Sequence, residues 1–259
     1  MIEHLLCDLD GVLWRADEPI PGAAAALQRL SSLGTTTWFV TNNSNRPVHH
    51  YEDRLVKMGL AARGRVITSA LSAATLIEPG CTVMACAGPG VWEALSDRGA
   101  TVVGAESATT EVDAVVVGLH REFDYVRLAN ASRAVRAGAT LIGTNSDPTY
   151  PTPGGAEPGG GAILAAVSAA AATDPILAGK PSRAMADLVT ALIGATNVTS
   201  RIAMVGDRPS TDGRFAEVMG IEYWRVGDLP DGEQTEVVPV HRVGTDLSAL
   251  VEELLGGVR

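Results

Sequence analysis

Two aspartates one residue apart, Asp8 and Asp10, end the apolar run Leu5-Leu6-Cys7 and are followed at once by Gly11. Carboxylates this close repel when both ionise, so a bound cation or a proton has to offset them. Two further segments stop in the same way: Trp38-Phe39-Val40 runs into Thr41-Asn42-Asn43, and Ile202-Ala203-Met204-Val205 runs into Gly206-Asp207. In a parallel α/β sheet, ligands bind beyond the carboxyl ends of the strands, and three such ends describe one shared crevice. Asp8 and Asp10 alone would suit a solvated turn equally well. Asp207 adds a third carboxylate, and oxygen-rich ligation of that kind suits Mg2+.

The remaining polar groups are open to two readings each. Thr41, Asn42 and Asn43, continued by Ser44 and Asn45, supply hydroxyl, amide and backbone donors that can cradle phosphate oxygens. The same cluster also suits a polar turn that caps a helix starting at Pro47. Asp212, five residues after Asp207, is placed to cap the helix that follows it, a role compatible with a functional one. Lys180 in Gly179-Lys180-Pro181 is one of only two lysines, the other being Lys57. It is either an exposed turn residue or, in a crevice of carboxylates, a cation available to a phosphoryl oxygen. Other signals are weaker. The glycines at 154, 155 and 159–161 lack the lysine of a phosphate-binding loop, and the five histidines form no metal motif. Ser44, Ser210 and Cys7 lack a nucleophile elbow.

Positioning these groups requires alternating strands and helices. After the first strand, Gly22 opens an alanine-rich helix closed by Gly34, Thr36 to Val40 forms a strand, and Pro47 begins a helix ending near Gly59. A strand at 66–68 and a helix at 71–77 complete the series, which implies parallel strands. A second α/β unit follows, with strands at 82–87, 114–118 and 140–144. Its helices lie at 91–97 and at 124–137, the latter capped by Asp124. The Pro/Gly-rich passage from Pro148 to Gly161 reads as an ordered loop associated with Asn145 and Asp147. The first architecture resumes at Ile176. The expectation is an α/β fold: a doubly wound, parallel-sheet, Rossmann-like core at 1–79 and 176–259 with a smaller α/β domain inserted at 80–175.

Composition narrows the partners. Twenty basic against thirty acidic residues give a formal charge of −10 without a basic block, which argues against nucleic acid and anionic membranes. No stretch of about eighteen apolar residues suggests a membrane span. Three cysteines without metal spacing read as buried thiols of a reducing compartment, and a cytoplasmic location is expected.

Taken together, the motifs resemble the four signatures of the haloacid dehalogenase-like hydrolase superfamily, and most closely its NagD-like class IIA phosphatases. Asp8-Leu9-Asp10-Gly11-Val12-Leu13 matches the first signature, Thr41-Asn42-Asn43-Ser44 the second, Lys180 the third, and Gly206-Asp207 through Asp212 the fourth. Val117-Gly118, the Tyr125 helix, Thr144-Asn145-Ser146-Asp147 and Pro158-Gly159 resemble a C2-type cap. The resemblance implies a Mg2+-dependent phosphomonoester hydrolase acting on a small phosphorylated metabolite. Asp8 would attack phosphorus, giving an aspartyl-phosphate, and Asp10 would protonate the leaving oxygen. Asp8, Asp207 and the backbone carbonyl of Asp10 would bind the metal. Thr41, the Asn42 amide and Lys180 would hold the phosphoryl group, supported by Asn43 and Asp212. Asn145 and Asp147 would read the substrate, and glycerol phosphate is one expected substrate. Phosphoryl transfer to an organic acceptor and non-catalytic binding of a phosphometabolite stand as alternatives, and the resemblance leaves a homodimer open.

Overall fold

A computed structural model describes residues 2–15, 18–152, 154–194, 201–229 and 238–256. In chain order the elements begin β1 (His4–Cys7), β2 (Trp14–Arg15), β3 (Glu18–Pro19), α1 (Ala23–Ser32), β4 (Thr36–Thr41), α2 (Val48–Lys57), β5 (Val66–Thr68) and α3 (Ser69–Thr75). They continue with β6 (Thr82–Cys86), α4 (Pro89–Asp97), β7 (Thr101–Gly104), β8 (Ala114–Val117), α5 (Tyr125–Arg136), β9 (Thr140–Gly143), β10 (Thr149–Thr152) and β11 (Gly155–Pro158). The last are α6 (Gly160–Ala171), β12 (Ile176–Leu177), α7 (Arg183–Ile193), β13 (Ile202–Gly206), α8 (Arg214–Met219), β14 (Glu222–Val226), β15 (Arg242–Gly244) and α9 (Leu247–Gly256).

Two compact units result. The first comprises Met1–Thr41, His49–Ile67 and Lys180–Arg259. Its six-stranded sheet has the order β15-β14-β13-β1-β4-β5, with β1 parallel to both neighbours: Cys7 pairs with Val205 on one side and with Phe39 on the other. That register brings the carboxyl ends of β4, β1 and β13 side by side, so Thr41, Asp8 and Asp207 emerge at one sheet edge. Leu6, Val40, Ile67 and Met204 of this sheet pack with Met185 and Val189 of α7 and with Phe215 of α8. Burying such side chains contributes about 1.5–3 kcal/mol each, so the sheet edge is carried on a rigid base.

The second unit comprises Asn42–Val48 and Thr68–Gly179. Its five-stranded parallel sheet, β12-β9-β8-β6-β7, is buried on both faces. The period of two divides the strands cleanly. Val83, Ala85, Ala114 and Val116 face α3 and α4, while Met84, Cys86, Val115 and Val117 face α5 and α6. The architecture is the expected α/β fold with a Rossmann-like core and a smaller inserted α/β region.

Several local expectations change. Ile176–Leu177 does not return to the first sheet; it pairs with Ile142–Gly143 of β9. Ala70, Ala73, Ala74 and Ile77 likewise pack into the second unit's core, because an alanine face lets α3 approach Val83 and Ala85 closely. The units therefore divide at 41/42, 48/49, 67/68 and 179/180, where the sequence suggests 79/80 and 175/176. Apart from Pro153, which lies outside the described residues, the passage from Pro148 to Gly161 is no simple loop. It contains an antiparallel hairpin pairing Thr149 with Pro158, and Tyr150 Oη donates to Glu157 Oε2 at 2.6 Å. Cys7 and Cys86 are buried thiols as expected, whereas Cys81 is half-exposed.

Candidate active site

The first unit gathers four of the charged residues singled out by the sequence. Asp8 follows β1, and its backbone N–H donates to Val205 O at 2.9 Å, which ties it to β13. Lys180 comes from the turn before α7, whose start is held by the Ser182 hydroxyl accepting from Met185 N at 3.2 Å. Its Nζ donates to Asp8 Oδ1 at 2.7 Å, to Asp212 Oδ1 at 2.6 Å and to the carbonyl of Val40 at 3.0 Å. The lysine is 5 % exposed, so the exposed-turn reading does not hold. An ammonium at this depth persists only because it is paired.

Asp207 directly follows β13, and Asp212 lies in the single π-helical turn Pro209–Gly213. Asp212 does not cap the next helix. Its Oδ2 accepts from the backbone N–H of Arg208 at 3.1 Å while its Oδ1 holds Lys180, so the carboxylate is oriented at both oxygens. Two glycines make room for this packing. Gly11 has φ +85°, and a Cβ there would collide with the Asp207 carboxylate; a Cβ on Gly206 would collide with that of Asp212. The glycine of the first motif is thus required both by backbone conformation and by the carboxylate behind it.

Asp10 leaves the strand line. The turn after Leu9 carries its side chain to Trp14, whose Nε1 donates to Asp10 Oδ1 at 2.9 Å. Thr41 ends β4 with 2 % exposure. The other predicted site residues belong to the second unit. There the carbonyl of Asn42 accepts from Asn145 Nδ2 at 2.9 Å and from Ser69 Oγ at 2.6 Å, and Asn42 Nδ2 reaches Asp147 Oδ2 at 3.4 Å. Asn43 is exposed, its Oδ1 accepting from Asn45 N at 3.1 Å in an Asx turn. Ser44 is buried and donates to Thr144 Oγ1 at 3.0 Å. The segment after Thr41 is accordingly a polar turn locked by its own unit, and Asn145 is committed to Asn42 rather than open to solvent.

Burial raises the pKa of every carboxyl in the cluster. Asp207 is pushed up to about 8, first by desolvation and then by repulsion from Asp212 and Asp8. Asp212 rises to about 6 by desolvation, with Lys180 opposing. Asp8 rises for the same reason against the same lysine, and Asp10 rises by burial against the Trp14 hydrogen bond. Desolvation works against the charged form of Lys180, but the carboxylates of Asp212 and Asp8 outweigh it and hold the group protonated.

A divalent cation fits this donor set. Asp8, Asp207 and Asp212 each bring one carboxylate oxygen within 4.8 Å of the others. Asp207 Oδ1 is buried without a hydrogen-bond partner among the described residues, a costly state that a cation relieves. With both oxygens of Asp212 already engaged, Asp8 and Asp207 are the side chains best disposed as ligands.

Comparison with known proteins bears on this geometry. Residues 5–101 match the family described as haloacid dehalogenase-like hydrolase, and residues 177–228 match a HAD-hydrolase-like family. The acid sugar phosphatase of Staphylococcus epidermidis is 34% identical over 257 residues, covering 96% of each chain. The chain belongs to the haloacid dehalogenase-like hydrolases. Among solved structures, a hypothetical protein of Pyrococcus horikoshii OT3 matches with a TM-score of 0.86 and 32% identity, covering 98% of this chain and 100% of that one. The glycerol phosphate phosphatase of Mycobacterium tuberculosis, in complex with magnesium, matches with a TM-score of 0.85 and 31% identity over 97% of this chain and 77% of that one.

In this haloacid dehalogenase-like hydrolase, the four-motif pattern locates the charged groups but misses what orients them. The carbonyl of Val40, the backbone N–H of Arg208 and the indole of Trp14 all touch site residues. The two backbone groups leave no trace in residue type. Trp14 offers one: a buried indole needs an acceptor, and Asp10 lies four residues away.

Proposed function

We propose that this chain is a Mg2+-dependent phosphomonoester hydrolase of the NagD-like class IIA type, acting on a small phosphorylated metabolite through an aspartyl-phosphate. The observation that carries the reading is the buried contact of Lys180 with Asp8 and Asp212 beside the unpartnered oxygen of Asp207. In this reading Asp8 is the nucleophile. Lys180 holds its carboxylate in place and offsets the charge that builds on the transferring phosphoryl group. Thr41, at the end of the neighbouring strand, donates its hydroxyl to a phosphoryl oxygen, and the amide of Asn42 continues that cradle. Asp8, Asp207 and the Asp10 carbonyl would hold the Mg2+, which when bound offsets the repulsion between carboxylate and phosphate.

Asp10 is the proton donor to the leaving oxygen. Burial raises its pKa above the ordinary carboxylate value, the direction a general acid requires. As the ester P–O bond breaks, the Asp10 proton passes to the departing oxygen. Asp10 then takes a proton from the water that attacks phosphorus and frees Asp8. Asp212 supports Lys180 rather than the phosphate, because its oxygens are spent on Lys180 and Arg208. The second unit serves as a C2-type cap in this account, with Asp147 as its candidate for reading the substrate and Asn145 holding Asn42.

Among substrates, glycerol phosphate is favoured. The support is the mycobacterial glycerol phosphate phosphatase, with sugar phosphates suggested by the staphylococcal relatives. No helix among the described residues is long and apolar enough to cross a membrane, and the three thiols are free. The proposed place of work on such a metabolite is the cytoplasm. The test is release of inorganic phosphate from a panel of glycerol, sugar and nucleoside phosphates, with Mg2+ and after chelation. Turnover that survives chelation, or phosphate appearing only on an organic acceptor, would contradict the proposal.

A further inference from the structure

Asp10 is held by Trp14, to which the proposed chemistry gives no part, and Arg54 in turn covers the Trp14 ring. The chain between Asp10 and Trp14 closes on itself: Gly11 N donates to Trp14 O at 2.7 Å, and Leu13 N and Trp14 N return to Leu9 O at 2.9 and 3.3 Å. This turn brings the indole back beside the aspartate, where Nε1 donates to Oδ1 at 2.9 Å. The indole is 2 % exposed and Asp10 half-buried, so the donor side of that bond is shielded from solvent. An indole nitrogen donates and never accepts, so the oxygen it meets must be the accepting one. Over the ring face lies the guanidinium of Arg54 from α2, its Cζ 4.0 Å from the ring centroid. A cation at that distance is attracted to the indole face. The ring is thereby fixed by its backbone turn, by its N–H and by the Arg54 cation.

We propose that Trp14 is a positioning residue for Asp10. By occupying Oδ1 it makes Oδ2 the oxygen that presents the proton to the leaving group, and Arg54 keeps the indole in place. The inference rests on the phosphomonoesterase reading, in which Asp10 protonates the leaving oxygen. In that step the Oδ2–H bond breaks as the ester P–O bond breaks. The electron pair of the P–O bond goes to the leaving oxygen, which takes the proton, and Asp10 is left as a carboxylate still bound to the indole. Trp14 itself touches no reacting atom. Its contribution is orientation, and a general acid displaced by about 1 Å can lose on the order of 100-fold in rate.

A misaligned proton donor matters only where the leaving group needs a proton. An alkoxide leaving from glycerol phosphate does; 4-nitrophenolate barely does. The experiment compares kcat and KM for these two esters, at saturating Mg2+, in the wild-type enzyme, Trp14→Phe and Arg54→Gln. Trp14→Phe keeps an aromatic ring near Arg54 while removing the N–H together with the second ring of the indole. The expected result is a loss of about 10- to 100-fold in kcat for the alkyl ester, with KM within about 2-fold and the nitrophenyl ester reduced by less than about 3-fold. Arg54→Gln is expected to show the same ordering with a smaller loss, and it carries the test if Trp14→Phe does not fold. Equal losses on both esters, or an unchanged kcat for the alkyl ester in folded Trp14→Phe, overturn the inference. A wild-type enzyme that hydrolyses neither ester overturns the phosphatase reading itself, before any variant is compared.

Discussion

Lys180 Nζ and Asp8 Oδ1 lie 2.7 Å apart, although 172 residues of chain separate them. The pair is nearly dry, with side chains 2 % and 11 % exposed, and Asp212 meets the same nitrogen. Charges at such depth are costly alone and tolerable together, so each partner depends on the others. Lys180→Met therefore leaves Asp8 and Asp212 facing each other without a cation. We expect loss of phosphatase activity by at least about 100-fold, by analogy with removing a preorganised charge from a transition state. Unfolding in denaturant at pH 8 should also become easier by about 3 kcal/mol. A variant with wild-type kcat would show that Lys180 is only structural.

Asp212→Asn keeps an oxygen for the N–H of Arg208 and removes the charge that faces Lys180. Asp8 is then the one carboxylate left on the ammonium, beside the Val40 carbonyl, which weakens Asp8 as a nucleophile. The expected outcome is a drop in kcat of about 10-fold or more with KM little changed, since an interaction that acts in the transition state is lost. A rise in KM at constant kcat would instead assign Asp212 to substrate binding.

The pH dependence of stability should have the sign opposite to that of an aspartate whose pKa a partner depresses. Asp207 has a folded pKa of about 8 against an ordinary value of 3.8, and Asp212 is raised to about 6. Between those values the folded state binds more protons than the unfolded chain, so the contribution of these groups to stability falls as pH rises from about 4 to about 8. A divalent cation competes with the same protons, so its stabilising effect should be small near pH 5 and large near pH 8. At 100 times its dissociation constant it would add about 2.7 kcal/mol. Thermal melts across this range with Mg2+ and with a chelator measure both trends. A Mg2+ shift in Tm that is larger at pH 5 than at pH 8 would refute the cation site.

Gly11→Ala should damage function beyond its cost in backbone strain. The position has φ +85°, which alone costs a residue with a side chain about 1–2 kcal/mol, and the new Cβ would displace the Asp207 carboxylate. Gly34→Ala is the control, because φ is +94° there and nothing lies within 4 Å of its Cβ. Both variants should lose comparable backbone stability, while only Gly11→Ala should lose Mg2+-dependent stabilisation and turnover. Equal activity in the two would show that Asp207 need not sit against the turn.

Much of this arrangement is legible along the chain because it is local. An apolar stretch that stops at Asp8, Thr41 or Asp207 declares a buried strand and its carboxyl end within a few residues. Asp124 likewise announces a helix start, borne out by its Oδ1 accepting from Arg127 N at 2.8 Å. The hairpin at 149–158 is hidden by its glycines and prolines, which suggest a loop, while its pairing is made by backbone groups common to all residues. The assignment of α3 and of Ile176–Leu177 to the second unit escapes for a related reason: an alanine-rich helix and a two-residue strand carry too little pattern to name their partners.

What the sequence determined by itself is the inventory and the order: α/β alternation, an inserted second unit, and acidic residues at strand ends with one lysine for them to meet. Only the tertiary structure decided which groups touch. It buried Lys180 between Asp8 and Asp212, left Asp207 with an unpartnered oxygen, and turned Asp10 toward Trp14. The physical reason is that strand and helix signals are written in the spacing of neighbouring side chains. Pairing between distant charges is set by parallel strand register and by the cost of burying a charge alone, and neither quantity exists until the chain has folded.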